Sequence, residues 1–152
     1  MTEVPRDART RKADTLAKLR EPAVDVWVAS AADGAAHLVP LSLAWLDERV
    51  VVALDERSVT ARNIGTVGAV RLGLGPTRDV VMIDAELERS VPVAGAPAEL
   101  GDGYAAQADW DPRRDTDGGY VYLVLRPVRV QAWREANELA GRTLMRDGAW
   151  LV

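Results

Sequence analysis

Alternation of apolar and polar positions marks a series of β-strands along this chain. Residues 24–30 (VDVWVAS) alternate, and residues 49–54 are apolar throughout their middle, so each range predicts a strand. The other predicted strands are residues 37–45, 69–74, 79–88 and 120–133. These six strands follow one another with few helices between them, which predicts a mainly β fold with an antiparallel sheet closed into a small barrel.

Turn and helix signals separate the strands. Asp33-Gly34 predicts a hairpin, and the small residues around it favour a loop longer than two residues. Pro40 has no N–H to donate, so it marks a sheet edge, a bulge or a position where something other than a strand lies alongside. Helices are predicted at residues 7–19, 58–65, 99–110 and 134–144, with a polar loop at residues 111–119.

Composition narrows the function classes without selecting one. The 152 residues fit a single domain, 1–152, and 48% of them are hydrophobic, which is enough for one core. The net charge of −4 speaks against a nucleic-acid surface. The chain has no cysteine and one histidine, which excludes disulfides, cysteine nucleophiles and multi-histidine metal sites. No apolar run reaches the roughly 18 residues that span a membrane, and the N-terminus lacks a signal-peptide core, so we expect a cytoplasmic protein.

Basic residues are concentrated near the N-terminus. Because they fall on and around the first predicted helix, we interpret them as its solvent-exposed face. They are Arg6, Arg9, Arg11, Lys12, Lys18 and Arg20.

The segment 58–63 (SVTARN) carries the clearest chemistry. It opens a short helix directly after an apolar strand, and a helix N-terminus offers unpaired N–H groups and a partial positive charge. Hydroxyls and a guanidinium at that place favour phosphate binding. The side chains concerned are Ser58, Thr60, Arg62 and Asn63. The alternative is that Ser58 or Thr60 only caps the helix and Arg62 only faces solvent.

Two further positions are candidates with a plain structural alternative. His37 near the start of the second strand either is structural or donates a hydrogen bond to a ligand. Trp110 precedes the polar loop and is the tryptophan least expected in the core. Carboxylates are plentiful, but no pair of them can be located in space, so acid–base catalysis is not assigned.

The order and spacing of these segments resemble the pyridoxamine-phosphate-oxidase-like, flavin-binding split-barrel superfamily in its small actinobacterial form. The resemblance covers residues 20–90 and rests on residues 25–30, Asp33-Gly34, residues 37–45 (HLVPLSLAW), residues 58–63 and residues 70–72. The tail, at residues 130–135 and 141–148, resembles an actinobacterial subgroup.

The resemblance implies a six-stranded split barrel that forms a homodimer and holds FMN, or the 5-deazaflavin coenzyme F420, in a groove at the subunit boundary. It places the cofactor phosphate on Ser58, Thr60, Arg62 and Asn63. It places the ring along residues 37–42, where the backbone supplies hydrogen bonds; the residues are His37, Val39, Pro40, Leu41 and Ser42. On this basis Trp110 or Trp133 walls the pocket for a small-molecule substrate.

The implied activity is a flavin- or deazaflavin-dependent oxidoreductase in which the cofactor carries the hydride chemistry. The alternative is a non-catalytic binding or carrier protein for a flavin, a tetrapyrrole or a similar ligand on the same fold. Many members of the superfamily carry a lysine near the position of Thr60. Its absence removes a charge that would help to hold the long anionic tail of F420, which favours FMN.

Overall fold

The computed structural model describes residues 3–115 and 117–152, and residue 116 of the predicted polar loop lies outside them. The helices are α1 (Ala8–Arg20), α2 (Val59–Val67) and α3 (Ala98–Ala108). The strands are β1 (Asp25–Ala32), β2 (Ala35–Ser42), β3 (Ala44–Leu46), β4 (Arg49–Asp55), β5 (Ala69–Leu74), β6 (Val80–Pro92), β7 (Tyr120–Trp133), β8 (Thr143–Arg146) and β9 (Ala149–Trp150). None of the helices in the described ranges has the length and apolar character to cross a bilayer.

All the described strands belong to one antiparallel sheet, whose main path runs β2-β1-β5-β6-β7-β4-β3. Strands β8 and β9 extend from β7 outside this path. The two ends of the path, β2 and β3, are separated in the chain by Leu43 alone. The sheet therefore curls back on itself, and side chains from β1, β4, β5, β6, β7 and β8 meet in one buried cluster. This mainly β architecture agrees with the sequence-based prediction, with more strands than the six expected.

Two apolar cores explain why β4 and β7 lack an alternating pattern. In β4, Val50 and Val52 face the barrel interior, whereas Val51 and Ala53 face a second cluster under α3. Because both faces of these strands are buried, both faces are apolar. The second cluster combines aliphatic residues with two tyrosines, Tyr104 of α3 and Tyr122 of β7.

Three details differ from the sequence-based expectations. Asp33 and Gly34 alone connect β1 to β2, with φ of 54° and 76°, so the loop is a tight two-residue turn. The second predicted strand breaks at Leu43, where the chain leaves β1 and begins to pair with β4. The helix predicted at residues 134–144 is wrong. That range holds a 3₁₀ turn (Ala136–Glu138) and the start of β8, because its backbone and side chains bond to α1 and β7 instead.

Two of the prolines within strands, Pro40 and Pro127, lie where a missing N–H is tolerated. Pro40 is on β2, which has no neighbour on its outer side in the sheet path, so Pro40 marks an edge, as one of the alternatives held. Pro127 lies at a bulge of β7. There Asp84 pairs with Arg129 while Ala85 pairs with Pro127, so one residue of β7 is left over.

The N-terminal basic residues are not a uniformly solvated face, which corrects the interpretation above. Arg11 is 4% exposed, and its Nη1 donates to the carbonyl oxygens of Ala132, Glu138 and Gly141 at 3.4, 3.0 and 3.2 Å. The Nε of Arg6 donates to the buried carboxylate of Glu138 at 3.1 Å. These contacts attach α1 to the segment that follows β7.

Candidate functional site

The N-terminus of α2 has free hydrogen-bond donors. Ser58 caps the helix, since its Oγ accepts from the N–H of Ala61 at 3.2 Å. The N–H of Arg62 donates to the carbonyl of Ser58 at 3.1 Å. The N–H groups of Val59 and Thr60 cannot reach a carbonyl of their own helix, and no other acceptor within the described residues takes them. Two backbone donors and the positive end of the helix are therefore available to an anion.

The side chains around this N-terminus play different parts. Arg62 is exposed, and no described carboxylate pairs with it. Thr60 is 2% exposed, so its side chain is directed into the protein rather than towards solvent. Asn63 donates from Nδ2 to the Oγ of buried Ser30 at 3.2 Å, which ties α2 to β1. Arg62 is thus the side chain most open to a bound phosphate, whereas Asn63 fixes the helix.

Sequence reasoning missed Arg57, which immediately precedes the capping serine. Its Nε and Nη2 bind the carboxylate of Asp55 at 3.1 and 3.0 Å. These hydrogen bonds lower the pKa of Asp55 to about 2. Asp55 stays ionised and neutralises Arg57, so this arginine adds little net charge at the helix start. The triplet Asp55-Glu56-Arg57 directly before the capping serine was the sequence signal that could have predicted this ion pair.

The free edge of β2 presents alternate residues to solvent. Leu43 donates its N–H to the carbonyl of Val24 at 3.1 Å, so Leu43 and Val24 form a hydrogen-bonded pair of the β1–β2 ladder. In an antiparallel pair, hydrogen-bonded and non-hydrogen-bonded positions alternate. The backbone groups of His37, Val39 and Leu41 consequently face β1, and those of Leu38, Pro40 and Ser42 face the open edge. A ligand on this edge meets the N–H groups of Leu38 and Ser42, with none from Pro40.

His37 lies across the ladder from Ser30, the residue that Asn63 holds. By strand alternation its side chain shares the sheet face of Ser30, opposite to that of Leu38, and its position borders a groove of about 650 Å³ on the outer face of the sheet. The groove is mostly apolar. Its walls come from β1, β2, β5, β6, β7 and the end of α2, and they include Ala29, Ala31, Ala36, Leu38, Val67 and Ala69. The residues that line it do not include Ser58, Thr60 or Arg62, so the groove and the α2 N-terminus are separate parts of the surface.

Trp110 is connected to the edge of β2 through Tyr104. Its Nε1 donates to the Tyr104 hydroxyl at 3.1 Å, and that hydroxyl donates to the carbonyl of Ser42 at 3.4 Å. The Trp110 ring also meets Tyr120 edge to face, with centroids 5.8 Å apart. Burial raises the pKa of Tyr104 to about 12, so its hydroxyl remains a proton donor at neutral pH.

Trp133 lies in a different place. It borders a cleft of about 270 Å³ on the outer face of β5, β6 and β7, together with Arg71, Asp84 and Arg129. Trp110 contacts Tyr120, the first residue of β7, whereas Trp133 is the last. At roughly 3.3 Å per residue, about 40 Å of strand contour separates Tyr120 from Trp133. Within one chain, Trp110 and Trp133 do not wall the same pocket.

Comparison with solved structures identifies the fold. An F420 reductase superimposes with a TM-score of 0.60 at 20% identity, over 74% of this chain and 92% of that one. A pyridoxamine 5'-phosphate oxidase-related, FMN-binding protein from Nostoc punctiforme superimposes with a TM-score of 0.56 at 16% identity, over 84% and 83%. This chain has the pyridoxamine 5'-phosphate oxidase-like split-barrel fold.

The same split barrel is found in proteins with other ligands. A heme-binding protein from Mycobacterium smegmatis superimposes with a TM-score of 0.62 at 16% identity, over 93% of this chain and 58% of that one. No family model matches the sequence, and no curated protein matches it. At these identities the likeness is one of fold, so the function rests on the residues of the site.

Proposed function

We propose that this split barrel is an FMN- or deazaflavin-dependent oxidoreductase that acts on a small molecule. The observation that carries the proposal is the donor set at the start of α2, where two free N–H groups and Arg62 stand on a helix that packs against β1 and β2. Such a set suits the phosphate of a flavin. Split-barrel proteins of similar structure include an F420 reductase and an FMN-binding protein.

Each part of the proposed site has one task. The N–H groups of Val59 and Thr60 and the guanidinium of Arg62 hold the phosphate, and Asn63 keeps α2 in register with β1 through Ser30. The free edge of β2 at Leu38, Pro40 and Ser42 borders the ring. When bound, the cofactor supplies the hydride chemistry, while the protein orients it and excludes water.

The charge of the site favours FMN over coenzyme F420. Arg62 offers one positive charge without a carboxylate partner among the described residues, whereas Arg57 is neutralised by Asp55. A single terminal phosphate matches a single free guanidinium and a helix N-terminus. The longer anionic tail of F420 calls for more cations than these residues supply, and the buried Thr60 adds none.

The second candidate is a non-catalytic carrier of a flavin, a tetrapyrrole or a similar planar ligand. The apolar groove of about 650 Å³ favours it, because a mostly apolar concavity of this size suits a planar hydrophobic ligand. A heme-binding protein of this fold supports the same possibility. On this proposal the groove of the outer sheet face, and not the α2 N-terminus, holds the ligand.

Parallel titrations of the ligand-free protein with FMN, coenzyme F420 and hemin separate these functions. We expect FMN to quench tryptophan fluorescence with a micromolar or lower dissociation constant, and NAD(P)H or another common donor to reduce the bound FMN. Tight F420 binding alone would transfer the proposal to the deazaflavin. A Soret shift on addition of hemin would support the carrier, as would a bound flavin that exchanges electrons with no donor or acceptor.

We also propose that two copies of the chain associate through the outer face of β1 and β2. Outward positions of a solvated antiparallel sheet are normally polar, yet Trp27 is 55% exposed and Leu38 59% exposed on this face. Pro40 lies directly opposite Trp27 on the same face, and alanines surround them. An exposed apolar sheet face of this kind is typical of an interface, and a second copy offers a self-complementary surface.

Changing Trp27 to Arg is expected to convert the dimer to a monomer, because a charge would be buried without a partner at the centre of the apolar face. Sedimentation velocity should give twice the 16.5 kDa chain mass for the wild type and the single chain mass for the variant. Leu139→Arg, at an exposed position that follows the Ala136–Glu138 turn, is the matched control and should remain dimeric. A wild-type protein that sediments as a monomer at micromolar concentration would contradict the proposal.

A further inference from the structure

The junction between β2 and β3 is held from outside the sheet by α3. Only Leu43 separates the two strands, and the backbone there changes its pairing partner from β1 to β4. The carbonyl of Ser42 faces the open edge of β2, because Ser42 occupies a non-hydrogen-bonded position opposite Asp25. Asp47 and Glu48 form a two-residue turn between β3 and β4, so Trp45 occupies the equivalent position opposite Val50 and its N–H also points away from the ladder.

Two side chains of α3 satisfy these two backbone groups. The hydroxyl of Tyr104 donates to the carbonyl of Ser42 at 3.4 Å, and the Oε1 of Gln107 accepts from the N–H of Trp45 at 2.8 Å. Unpaired backbone groups in a buried junction are costly, so both contacts restrain its conformation. They come from residues one helical turn apart on the same face of α3.

Both side chains are themselves fixed in orientation. Tyr104 is fully buried, and its oxygen accepts from the Nε1 of Trp110 at 3.1 Å, which directs its proton towards Ser42. The Nε2 of Gln107 donates to the carbonyls of Leu19 and Glu21 at 2.6 and 3.2 Å, which leaves Oε1 for Trp45. Each contact to the junction therefore belongs to a chain of hydrogen bonds anchored elsewhere in the fold.

We propose that Tyr104 and Gln107 are positioning residues for the cofactor ring, acting through the Ser42 end of the free edge of β2. The inference rests on the proposed flavin function, since it concerns the edge along which the ring would lie. Ser42 is one of three residues of β2, with Ala36 and Leu38, whose N–H faces that edge, so a displacement of Ser42 changes a hydrogen bond to the ring. Tyr104 reaches the ring through Ser42 and does not contact the reacting atoms.

Tyr104→Phe tests the proposal, and Tyr122→Phe is its matched control. Tyr122 is equally buried, its ring lies 5.5 Å from that of Tyr104, and its hydroxyl has no hydrogen-bond partner among the described residues. In the cofactor-free protein, hydrogen exchange of the Leu43–Trp45 amides should become about five- to tenfold faster in Tyr104→Phe, the change expected for the loss of one hydrogen bond. Tyr122→Phe should exchange like the wild type.

The second readout is the bound cofactor. In Tyr104→Phe the absorption maximum and the reduction potential of the bound flavin should shift and its dissociation constant should rise about fivefold, while Tyr122→Phe leaves all three unchanged. Faster exchange without any change in the absorption maximum or potential would overturn the proposal, because it would show a purely structural role. Unchanged exchange would overturn it as well. If the wild type binds no flavin at all, the proposed function fails first, and that result is visible without either variant.

Discussion

Replacing Arg11 with Met should lower the free energy of unfolding by about 3–5 kcal/mol, the range for removing one partner from a buried ion pair. The guanidinium of Arg11 is buried, donates to four backbone carbonyls and lies 3.1 Å from the Glu138 carboxylate. Without it, Glu138 keeps only Arg6, and the carbonyls of the segment after β7 lose their donor. Urea unfolding followed by tryptophan fluorescence measures the change.

Arg9→Met is the control for this prediction, because Arg9 is an exposed residue of the same helix with no ion pair among the described residues. It should change the free energy of unfolding by less than about 0.5 kcal/mol. Arg11→Lys should be intermediate, since lysine restores the charge without the planar array of donors. A loss below about 1 kcal/mol in Arg11→Met would mean that the buried network does not hold α1 to the C-terminal segment.

Replacing Arg62 with Ala should weaken FMN binding by about 1.5–3 kcal/mol, the range for a hydrogen bond to a charged group. The dissociation constant would then rise by about one to two orders of magnitude. The physical reason is that Arg62 is the guanidinium at the start of α2 without a carboxylate partner among the described residues. Fluorescence titration at low and high salt measures the effect, and the wild-type affinity should be the more salt-dependent.

Arg57→Ala is the matched control for Arg62→Ala in the FMN titration. Arg57 immediately precedes the cap and its guanidinium is bound to Asp55. Arg57→Ala therefore changes the local charge by the same one unit as Arg62→Ala, but it removes no donor that is free for the phosphate. We expect a smaller effect for Arg57→Ala than for Arg62→Ala. Equal dissociation constants for wild type and Arg62→Ala would contradict the assignment of the phosphate to α2, whatever the protein binds elsewhere.

Local signals in the sequence were sufficient for most elements of the fold. The capping serine before α2, the proline at the sheet edge and the full extent of β7 all follow from backbone chemistry that acts over a few residues. The segment after β7 could not be predicted in this way. Its composition permits a helix, but its backbone carbonyls are bound by Arg11, a residue more than a hundred positions earlier in the chain.

In the candidate site, too, some features follow from local sequence signals and others depend on long-range contacts. The sequence by itself determined the donor types at the start of α2 and a strand with a proline in it, because helix capping and the missing N–H of proline are local properties. Only the tertiary structure decided which of these groups remain available. The hydrogen-bonding pattern of the β1–β2 pair turned the backbone groups of Val39 and Leu41 towards β1. Asp55 neutralised Arg57, and the length of β7 separated Trp110 from Trp133. Pairing and distance depend on contacts between residues remote in the chain, which no local pattern encodes.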